Sequence, residues 1–253
     1  MKKVRRPIMP EDVFRKPDHR LPIFPFMQQA RMAAVCSVLA ALFLLAGCGG
    51  GGGDGGGGGS NDNPVSPANP LASYCIDIYE ASRPDATALS AGNDNSAATS
   101  REGVLPWRVT DNEAADTACR AAGKWLCTPE EWEYACRGPA DTVYTYGDTY
   151  GAQMCNGLDT YGEGNHHMTP TGTFDNCTNG FGVFDMSGNV WEHTDNGDGT
   201  TVRGGAYNCY YPATRLRCDY VPGDWVPTAL GFRCCKEREA GQCPADMVGI
   251  IPE

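Results

Sequence analysis

The sequence has 253 residues, with 20 basic and 31 acidic side chains that give a formal net charge of −11 at neutral pH. This length suits one domain with appended segments rather than two full domains. The acidic balance argues against nucleic acid and anionic lipid head groups as partners, and it favours cations or basic partners.

Residues 1–47 are predicted to form a signal region. An apolar run of about 15 residues, at positions 32–46, is too short to cross a bilayer core comfortably as a helix. Arg31 precedes the run and small residues follow it, as is typical of a secretory signal. The alternative is a short uncleaved anchor. A translation start at Met27 or Met32 is an alternative that the sequence leaves open.

The motif LAGC at residues 45–48 resembles a bacterial lipobox, in which the cysteine is lipidated and becomes the first mature residue. We therefore expect Cys48 to anchor the protein to a lipid bilayer of the bacterial cell envelope, facing the periplasm or the exterior. Residues 48–70 are rich in Gly, Asn and Pro and are predicted to form a flexible tether. A domain follows over about residues 71–240, and 241–253 form a tail.

Eleven cysteines lie beyond the lipobox, at positions 75, 119, 127, 136, 155, 177, 209, 218, 234, 235 and 243. In an exported chain this density indicates a disulfide framework. Because eleven is odd, at least one thiol is free, modified or paired with another molecule.

The stretch TDNEAADTACRAAGK predicts a first helix that begins with a capping box of Thr110 and Glu113 and ends at Gly123. The residues expected to share one apolar face are Ala114, Ala118, Cys119 and Ala122.

The stretch TPEEWEYAC predicts a second helix by the same signals. Thr128 is its expected cap, Pro129 takes the first helical position, Glu131 closes the capping box and Gly138 ends the helix.

Elsewhere the chain consists of short runs separated by Gly, Asn, Asp and Pro, with no strand longer than about six residues. This pattern predicts an irregular, loop-rich α+β domain that is stapled by disulfides.

Four ordered motifs carry a resemblance to a known family. They are GKWLCTPEEWEYACRG at 123–138, GVFDMSGNVWEHT at 182–194, RGGAY at 203–207 and GFRC at 231–234. Their order and spacing are similar to those of the formylglycine-generating enzymes, or sulfatase-modifying factors. The resemblance implies a variant of the C-type lectin fold. Ergothioneine sulfoxide synthases and a pyoverdine maturation protein share this domain, so the fold does not fix the function.

The resemblance also implies disulfide pairs. It pairs Cys119 with Cys234 and Cys136 with Cys218. The remaining predicted pairs are Cys155 with Cys177, which flank one loop, Cys75 with Cys127, and Cys235 with Cys243. This scheme leaves Cys209 alone.

In the enzymes of this family, two cysteines five residues apart bind Cu(I), a soft ion that prefers thiolates. Cys209 occupies the first of these positions, and Thr214 occupies the second. Ala206 replaces the serine that lies in the oxygen pocket of the enzymes. Copper is therefore not expected, because one thiolate is a poor Cu(I) site. Cys209 remains the candidate catalytic residue only if another route of oxidation is used.

Calcium is the cofactor that the resemblance favours. The family's site corresponds to side-chain oxygens of Asp185 and Glu192, with backbone carbonyls of Gly188 and Val190. Carboxylate and carbonyl oxygens are the ligands that Ca²⁺ prefers. The alternative is that both acids cap turns. A second calcium site would use Asn156 and the Gly157 carbonyl.

Two sets of aromatic residues have different predicted roles. We expect Trp107, Trp125, Trp132 and Trp191 to lie in the core. Tyr207, Tyr210 and Tyr211 neighbour the cleft of the enzymes, where they could stack against a peptide or a sugar.

The tail CPADMVGIIPE resembles the opening strand of family domains. It is expected either to complete the sheet from the other end or to begin a second, truncated copy.

The sequence therefore predicts a cell-envelope lipoprotein whose domain binds calcium, lacks the copper dithiol and acts as a binding module for an unknown peptide, protein or glycan. The alternative is an oxidoreductase of the formylglycine-generating type that uses Cys209. A mainly structural lipoprotein is the third hypothesis.

Overall fold

The structure, a computed structural model, describes residues 72–252 except residues 163, 196, 198, 199 and 224–227. The predicted signal region, Cys48 and the whole predicted tether lie outside the described residues.

Short elements alternate with long loops, which confirms the predicted irregular, loop-rich α+β domain. The strands are β1 (Tyr74–Asp77), β2 (Ala81–Ser82), β3 (Thr99–Ser100), β4 (Trp125–Leu126), β5 (Trp191–Asp195), β6 (Thr200–Arg203), β7 (Leu230–Phe232), β8 (Cys234–Glu237) and β9 (Met247–Ile250). The helices are α1 (Asn112–Ala121), α2 (Pro129–Arg137) and α3 (Pro212–Arg215). Frequent Gly, Pro, Asn and Asp keep each run short, because these residues favour turns.

The larger sheet has four antiparallel strands in the order β4-β8-β1-β9. Its two central strands come from opposite ends of the domain, since β1 begins it and β8 lies near its end. β4 connects the end of α1 to the start of α2. The larger sheet therefore holds the C-terminal end of α1 and the N-terminal end of α2.

A second sheet has the order β6-β5-β7. β5 pairs antiparallel with β6 and parallel with β7. β2 and β3 form a separate two-stranded ribbon. The second sheet carries the motif WEHT on its central strand and leads from β6 into the loop that contains Cys209.

The first helix starts one residue later than the sequence predicts. Asp111, not Thr110, is the N-cap, and its carboxylate accepts the N–H of Ala114 at 2.9 Å. The apolar face is also shifted, because Ala115 is buried and Ala114 is exposed. Asp competes well with Thr as a cap, and the Thr110 hydroxyl donates to the Asp111 carboxylate instead.

The second helix confirms its prediction in detail. The Thr128 hydroxyl accepts the N–H of Glu131, and the Glu131 carboxylate accepts the N–H of Thr128 at 2.8 Å. Pro129 opens the helix and Gly138 follows its last residue.

Three predicted disulfides are confirmed: Cys119–Cys234, Cys136–Cys218 and Cys155–Cys177. Two predicted pairs, Cys75 with Cys127 and Cys235 with Cys243, are wrong. The observed pairs are Cys75–Cys243 and Cys127–Cys235. The strand order explains the correction, because β4 places Cys127 beside β8, whereas the segment before β9 brings Cys243 to β1.

The adjacent cysteines of β8 hold two different elements. Neighbouring residues of a strand point to opposite faces of a sheet. Cys234 therefore reaches α1 through Cys119, and Cys235 reaches the start of α2 through Cys127. The two bridges clamp both faces of the larger sheet at one point.

The buried apolar side chains form three clusters, one on each face of the larger sheet and one around the second sheet. The four tryptophans predicted to lie in the core, Trp107, Trp125, Trp132 and Trp191, are all buried. Burial of such large side chains removes much apolar surface from water and stabilises a domain with few regular elements.

The tail completes the larger sheet from the other end, which is one of its two predicted roles. β9 pairs with β1 along the edge opposite β4. Cys243 ties the preceding turn to β1.

Among the described helices, none combines the length and the apolar character needed to cross a membrane.

Candidate functional site

The loop between β6 and α3 carries the candidate catalytic residue, and two glycines shape it. Gly204 and Gly205 have φ angles of +85° and +77°. A Cβ on Gly204 would meet the Met186 carbonyl at 2.7 Å, and one on Gly205 would meet the Arg215 carbonyl at 2.8 Å. Only glycine tolerates both a positive φ angle and so close an approach of a backbone carbonyl, which accounts for the RGG motif at this bend.

Cys209 lies inside this loop as a buried, free thiol. Its side chain is 3% exposed, and it is the free cysteine of the described residues. The N–H of Ala206 points at its sulfur at 3.1 Å, and the Trp191 side chain also hydrogen-bonds the sulfur. Burial raises the pKa of the thiol to about 11, although these donors and Arg215 act in the opposite direction. Cys209 is therefore a neutral thiol at physiological pH.

Thr214 does not complete a soft-metal site with Cys209. It belongs to the short helix α3 and is exposed, whereas Cys209 is buried. A hydroxyl is a hard ligand and Cu(I) prefers thiolates, so these residues do not fit copper. In the part of the chain that the structure describes, the cluster of three close His, Cys, Asp or Glu donors is Cys127, Glu131 and Cys235, and both its sulfurs are in a disulfide.

Two tyrosines project from the same loop into solvent. Tyr210 is 70% exposed and Tyr211 is 76% exposed. Tyr211 has a φ of +59°, which is unusual for a large side chain, and the Arg215 guanidinium carbon lies 5.8 Å from its ring centroid. Tyr207 is half-buried, and its ring stacks on that of His166 at 6.2 Å. We call Tyr207, Tyr210 and Tyr211 the tyrosine surface.

The predicted calcium ligands Asp185 and Glu192 belong to a buried group of charged side chains. Both oxygens of Glu192 accept from Arg233, at 2.8 and 3.0 Å. Trp132 Nε1 also donates to Glu192, at 2.6 Å. The negative charge of Glu192 is therefore already balanced by a two-point ion pair with Arg233. A bound cation would have to share the Glu192 carboxylate with Arg233.

Asp185 is buried with a different set of neighbours. Its carboxylate accepts the N–H of Gly172 at 2.7 Å. Burial is the main cause that raises the pKa of Asp185 to about 7, and the charge of Glu192 adds to the rise. Among the described residues, Asp185 has no ion-pair partner within 4.0 Å. A second cation would offset the cost of ionising it here.

Glu80 is a third buried acid of this group, and the sequence analysis missed it. It accepts from Asn189 Nδ2 at 2.6 Å and from the Val190 N–H at 3.1 Å. Burial and the charges of Asp185 and Glu192 raise its pKa well above the ordinary range. The only local signal was an acid inside the short apolar stretch CIDIYEA, which a single sequence does not distinguish from a surface acid.

The second predicted calcium site lies at Asn156. Its Nδ2 donates to Asn189 Oδ1 at 2.9 Å and to Thr169 Oγ1 at 3.2 Å. Its Oδ1 is buried, and no donor reaches it within the described part of the chain. A buried amide oxygen without a donor is a position where a hard cation fits. The adjacent Gly157 N–H donates to Thr160 Oγ1.

Asp185 and Asn156 each have a buried side-chain oxygen of the kind that a hard cation prefers, whereas both oxygens of Glu192 are engaged by Arg233. Three buried acids, Glu80, Asp185 and Glu192, share one buried base, Arg233, so the group has more acids than bases. The Arg233 charge also acts on Asp185, where it opposes the rise in pKa, but the guanidinium forms its ion pair with Glu192.

Comparison with known proteins identifies the family to which the chain belongs. Residues 69–238 match the family described as "Sulfatase-modifying factor enzyme 1-like domain". The chain is similar to the formylglycine-generating enzyme of Mycobacterium tuberculosis, with 31% identity over 166 residues that cover 48% of this chain and 54% of the relative.

Relatives with a different name also match. The "Inactive C-alpha-formylglycine-generating enzyme 2" of Bos taurus is 36% identical over 149 residues, covering 51% of this chain and 48% of the relative. The corresponding protein of Mus musculus is 34% identical over 125 residues, covering 46% and 36%. The chain thus spans about half the length, or less, of these curated relatives.

Among solved structures, Treponema denticola variable protein 1 matches with a TM-score of 0.36 and 20% identity, covering 45% of this chain and 48% of that one. The family match covers most of the described domain and includes all three described helices, the acidic group and the Cys209 loop. Its domain has a C-type lectin-like fold, which confirms the predicted fold class. This chain is a member of the sulfatase-modifying factor enzyme 1-like family.

Proposed function

We propose that this chain is a lipid-anchored, calcium-binding module of the bacterial cell envelope that lacks the oxidase activity of formylglycine-generating enzymes. The observation that carries the proposal is the state of Cys209. It is buried, its pKa is raised, and an exposed threonine stands where a second thiolate is needed. A reactive cysteine requires access to solvent and a lowered pKa.

Relatives that share the domain support loss of the oxidase activity. Two of the matched proteins carry the word "inactive" in their names, and they are as similar to this chain as the named enzymes are. The domain is therefore compatible with a role that does not depend on oxidation.

Copper titration tests the proposed loss of the copper site. The mature protein is expected to bind no stoichiometric Cu(I) in competition with a chromogenic chelator, because it offers one buried thiol. The matched variant Cys209→Ser removes the thiol and serves as the comparison. Stoichiometric Cu(I) binding by the unmodified protein that is lost in Cys209→Ser would contradict the proposal and support the oxidoreductase alternative.

The tyrosine surface is the proposed contact area for a peptide, protein or glycan ligand, and nucleic acid is not a proposed partner. Exposed tyrosines offer apolar rings and a hydroxyl at little cost in side-chain entropy. Peptide and glycan arrays probed with the mature domain test this role. The double variant Tyr210→Ala/Tyr211→Ala is expected to lose the signal, and Tyr161→Ala, which removes another exposed tyrosine, is expected to keep it.

Calcium binding is proposed at Asp185, with Glu192 and the carbonyls of Gly188 and Val190 as further ligands, and at Asn156 with Gly157 as a second site. Calcium is expected to raise the melting temperature and EDTA to lower it, since a ligand that binds only the folded state stabilises it. Asp185→Asn should reduce this response, whereas the exposed control Asp175→Asn should not. A melting temperature that is indifferent to both calcium and EDTA would favour a mainly structural lipoprotein.

Lipidation is proposed at Cys48, which would place the domain at the surface of a bilayer through its tether. Cells fed a labelled fatty acid should incorporate it into the protein and should retain the protein in the membrane fraction. Cys48→Ser should abolish both. Labelling that persists in this variant would exclude the proposed anchor.

A further inference from the structure

A groove with a volume of about 530 Å³ lies beside the first turn of α1. Its lining consists of residues 107–111, four residues of α1, and Arg83 with Asn95. It shares no lining residue with the tyrosine surface, with Cys209 or with the proposed calcium ligands. A volume of this size accommodates a small ligand.

The floor of the groove is apolar and firmly held. It includes Trp107, Val109 and Ala118, all buried. The Trp107 ring packs edge-on against Phe232 with centroids 5.7 Å apart. The Val109 N–H donates to the Leu230 carbonyl at 3.0 Å, which ties the floor to the second sheet.

One wall is a fixed guanidinium. Arg83 lies over Trp107, with its guanidinium carbon 4.6 Å from the ring centroid. Its Nε donates to Asn95 Oδ1 at 2.7 Å, and its Nη1 donates to the Ala91 carbonyl at 3.3 Å. These contacts hold a planar donor group in place before any ligand arrives, which lowers the entropic cost of binding.

Two carboxylates, those of Asp111 and Glu113, also line the groove. Asp111 is fixed by the Ala114 N–H and the Thr110 hydroxyl, and these hydrogen bonds hold the pKa of its carboxyl below its ordinary value. Glu113 follows in the first turn of α1, and the exposed Arg108 completes the rim. The groove therefore contains two positive and two negative side chains.

We propose that this groove binds a neutral saccharide. Sugar hydroxyls both donate and accept hydrogen bonds, so a rim that mixes guanidinium, carboxylate and amide groups satisfies them on all sides. The planar groups can also bind two neighbouring hydroxyls at once. The apolar part of the lining can contact the C–H groups of a sugar ring beside the Arg83 guanidinium, which itself covers the Trp107 ring. An anion would face Asp111 and Glu113, and a cation would face Arg83 and Arg108, so the balanced charge selects a neutral ligand.

Isothermal titration of the mature protein with glucose, galactose and N-acetylglucosamine tests the proposal, with glucuronate and glucosamine as charged counterparts. At least one neutral sugar is expected to bind, and to bind more tightly than either charged sugar. Arg108→Ala should weaken that binding by about tenfold, because one charge-assisted hydrogen bond is lost.

A blocking variant locates the site. Ala114 is exposed in the groove, so Ala114→Trp should fill the groove and abolish sugar binding without changing the melting temperature. Ala121→Trp places the same side chain on an exposed position of the same helix outside the groove and should leave binding unchanged. The proposal is overturned if no neutral sugar binds, if a charged sugar binds best, or if Ala114→Trp binds normally. Loss of binding in Tyr210→Ala/Tyr211→Ala with Ala114→Trp unaffected would move the site to the tyrosine surface and also overturn it.

Discussion

At the scale of single residues, the protonation state and accessibility of the Cys209 thiol depend on its surroundings rather than on its motif. The Gly204-Gly205 bend turns the chain inward, and the sulfur then packs among Trp191 and Leu216 in the cluster around the second sheet. An apolar environment disfavours a thiolate, as the raised pKa reflects. The same residue in an open cleft beside a second cysteine would be a metal ligand.

Thiol labelling measures this difference. The native protein at neutral pH is expected to react with iodoacetamide many times more slowly than the unfolded protein, because the Cys209 sulfur is buried and protonated. The ten cysteines in the five disulfides provide an internal control, since they label only after reduction. Stoichiometric labelling of the native protein at the rate of a free peptide thiol would contradict this description.

His193 is a second residue whose surroundings decide its behaviour. It is 2% exposed on the central strand β5, and neither ring nitrogen has a hydrogen-bond partner among the described residues. Burial lowers the pKa of His193 to about 4, although the nearby charge of Asp111 acts against the shift. The unfolded chain therefore binds a proton at His193 more readily than the folded chain does.

The sign of the pH dependence follows from this difference. Above about pH 6.5 His193 is neutral in both states, so it has no effect on stability there. As the pH falls from 6.5 toward 4, its contribution lowers the free energy of unfolding by up to about 3 kcal/mol. His193→Phe should remove this acid-dependent part, as measured by urea unfolding at several pH values. An unchanged pH profile in the variant would contradict the assignment.

At the scale of elements, α1 provides a test of which residue caps it. Asp111→Ala should lower the free energy of unfolding by about 1 kcal/mol, since the cap accepts the Ala114 N–H. Thr110→Ala is the matched control and should have little effect. Equal losses of unfolding free energy in the two variants would support the capping box of Thr110 and Glu113 that the sequence predicts.

The elements differ in how well the sequence predicts them. Thr128, Pro129 and Glu131 define the start of α2 correctly because all the relevant contacts are local. Thr110 is misassigned because Asp111, one residue on, is an equally good cap. The pairing of Cys75 and Cys127 fails for another reason: it depends on the order β4-β8-β1-β9, which brings together strands that are distant along the chain.

The residues of the candidate site also differ in how well the sequence predicts their roles. The motifs locate Asp185, Glu192 and Cys209, since each lies in a recognisable block. Burial of Cys209 and the ion pair between Glu192 and Arg233 arise from packing between blocks and are not visible in any one of them. Glu80 lies about a hundred residues before the Val190 N–H that it accepts, so its role depends entirely on the fold.

At the scale of the whole molecule, the C-terminal tail closes the domain on its own N-terminal strand. β9 covers one side of β1, and the Cys75–Cys243 bridge spans 168 residues. The double variant Cys75→Ser/Cys243→Ser should lower the free energy of unfolding by about 2–5 kcal/mol, because the unfolded chain gains freedom. Deletion of residues 241–253 should cost more, since the strand is then lost as well. Chemical denaturation measures both, and a truncated chain as stable as the intact protein would exclude a structural role for the tail.

As proposed above, the sulfatase-modifying factor domain of this molecule lacks the oxidase chemistry of the formylglycine-generating enzymes. The formylglycine-generating enzymes oxidise a substrate cysteine within a CxPxR motif to formylglycine. The most direct measurement is therefore mass spectrometry of a peptide with this motif after incubation with the mature protein, Cu(I), a reducing agent and oxygen. The peptide cysteine is expected to remain unchanged, as with a Cys209→Ala variant. Conversion of the cysteine to formylglycine by the unmodified protein, and not by Cys209→Ala, would contradict it.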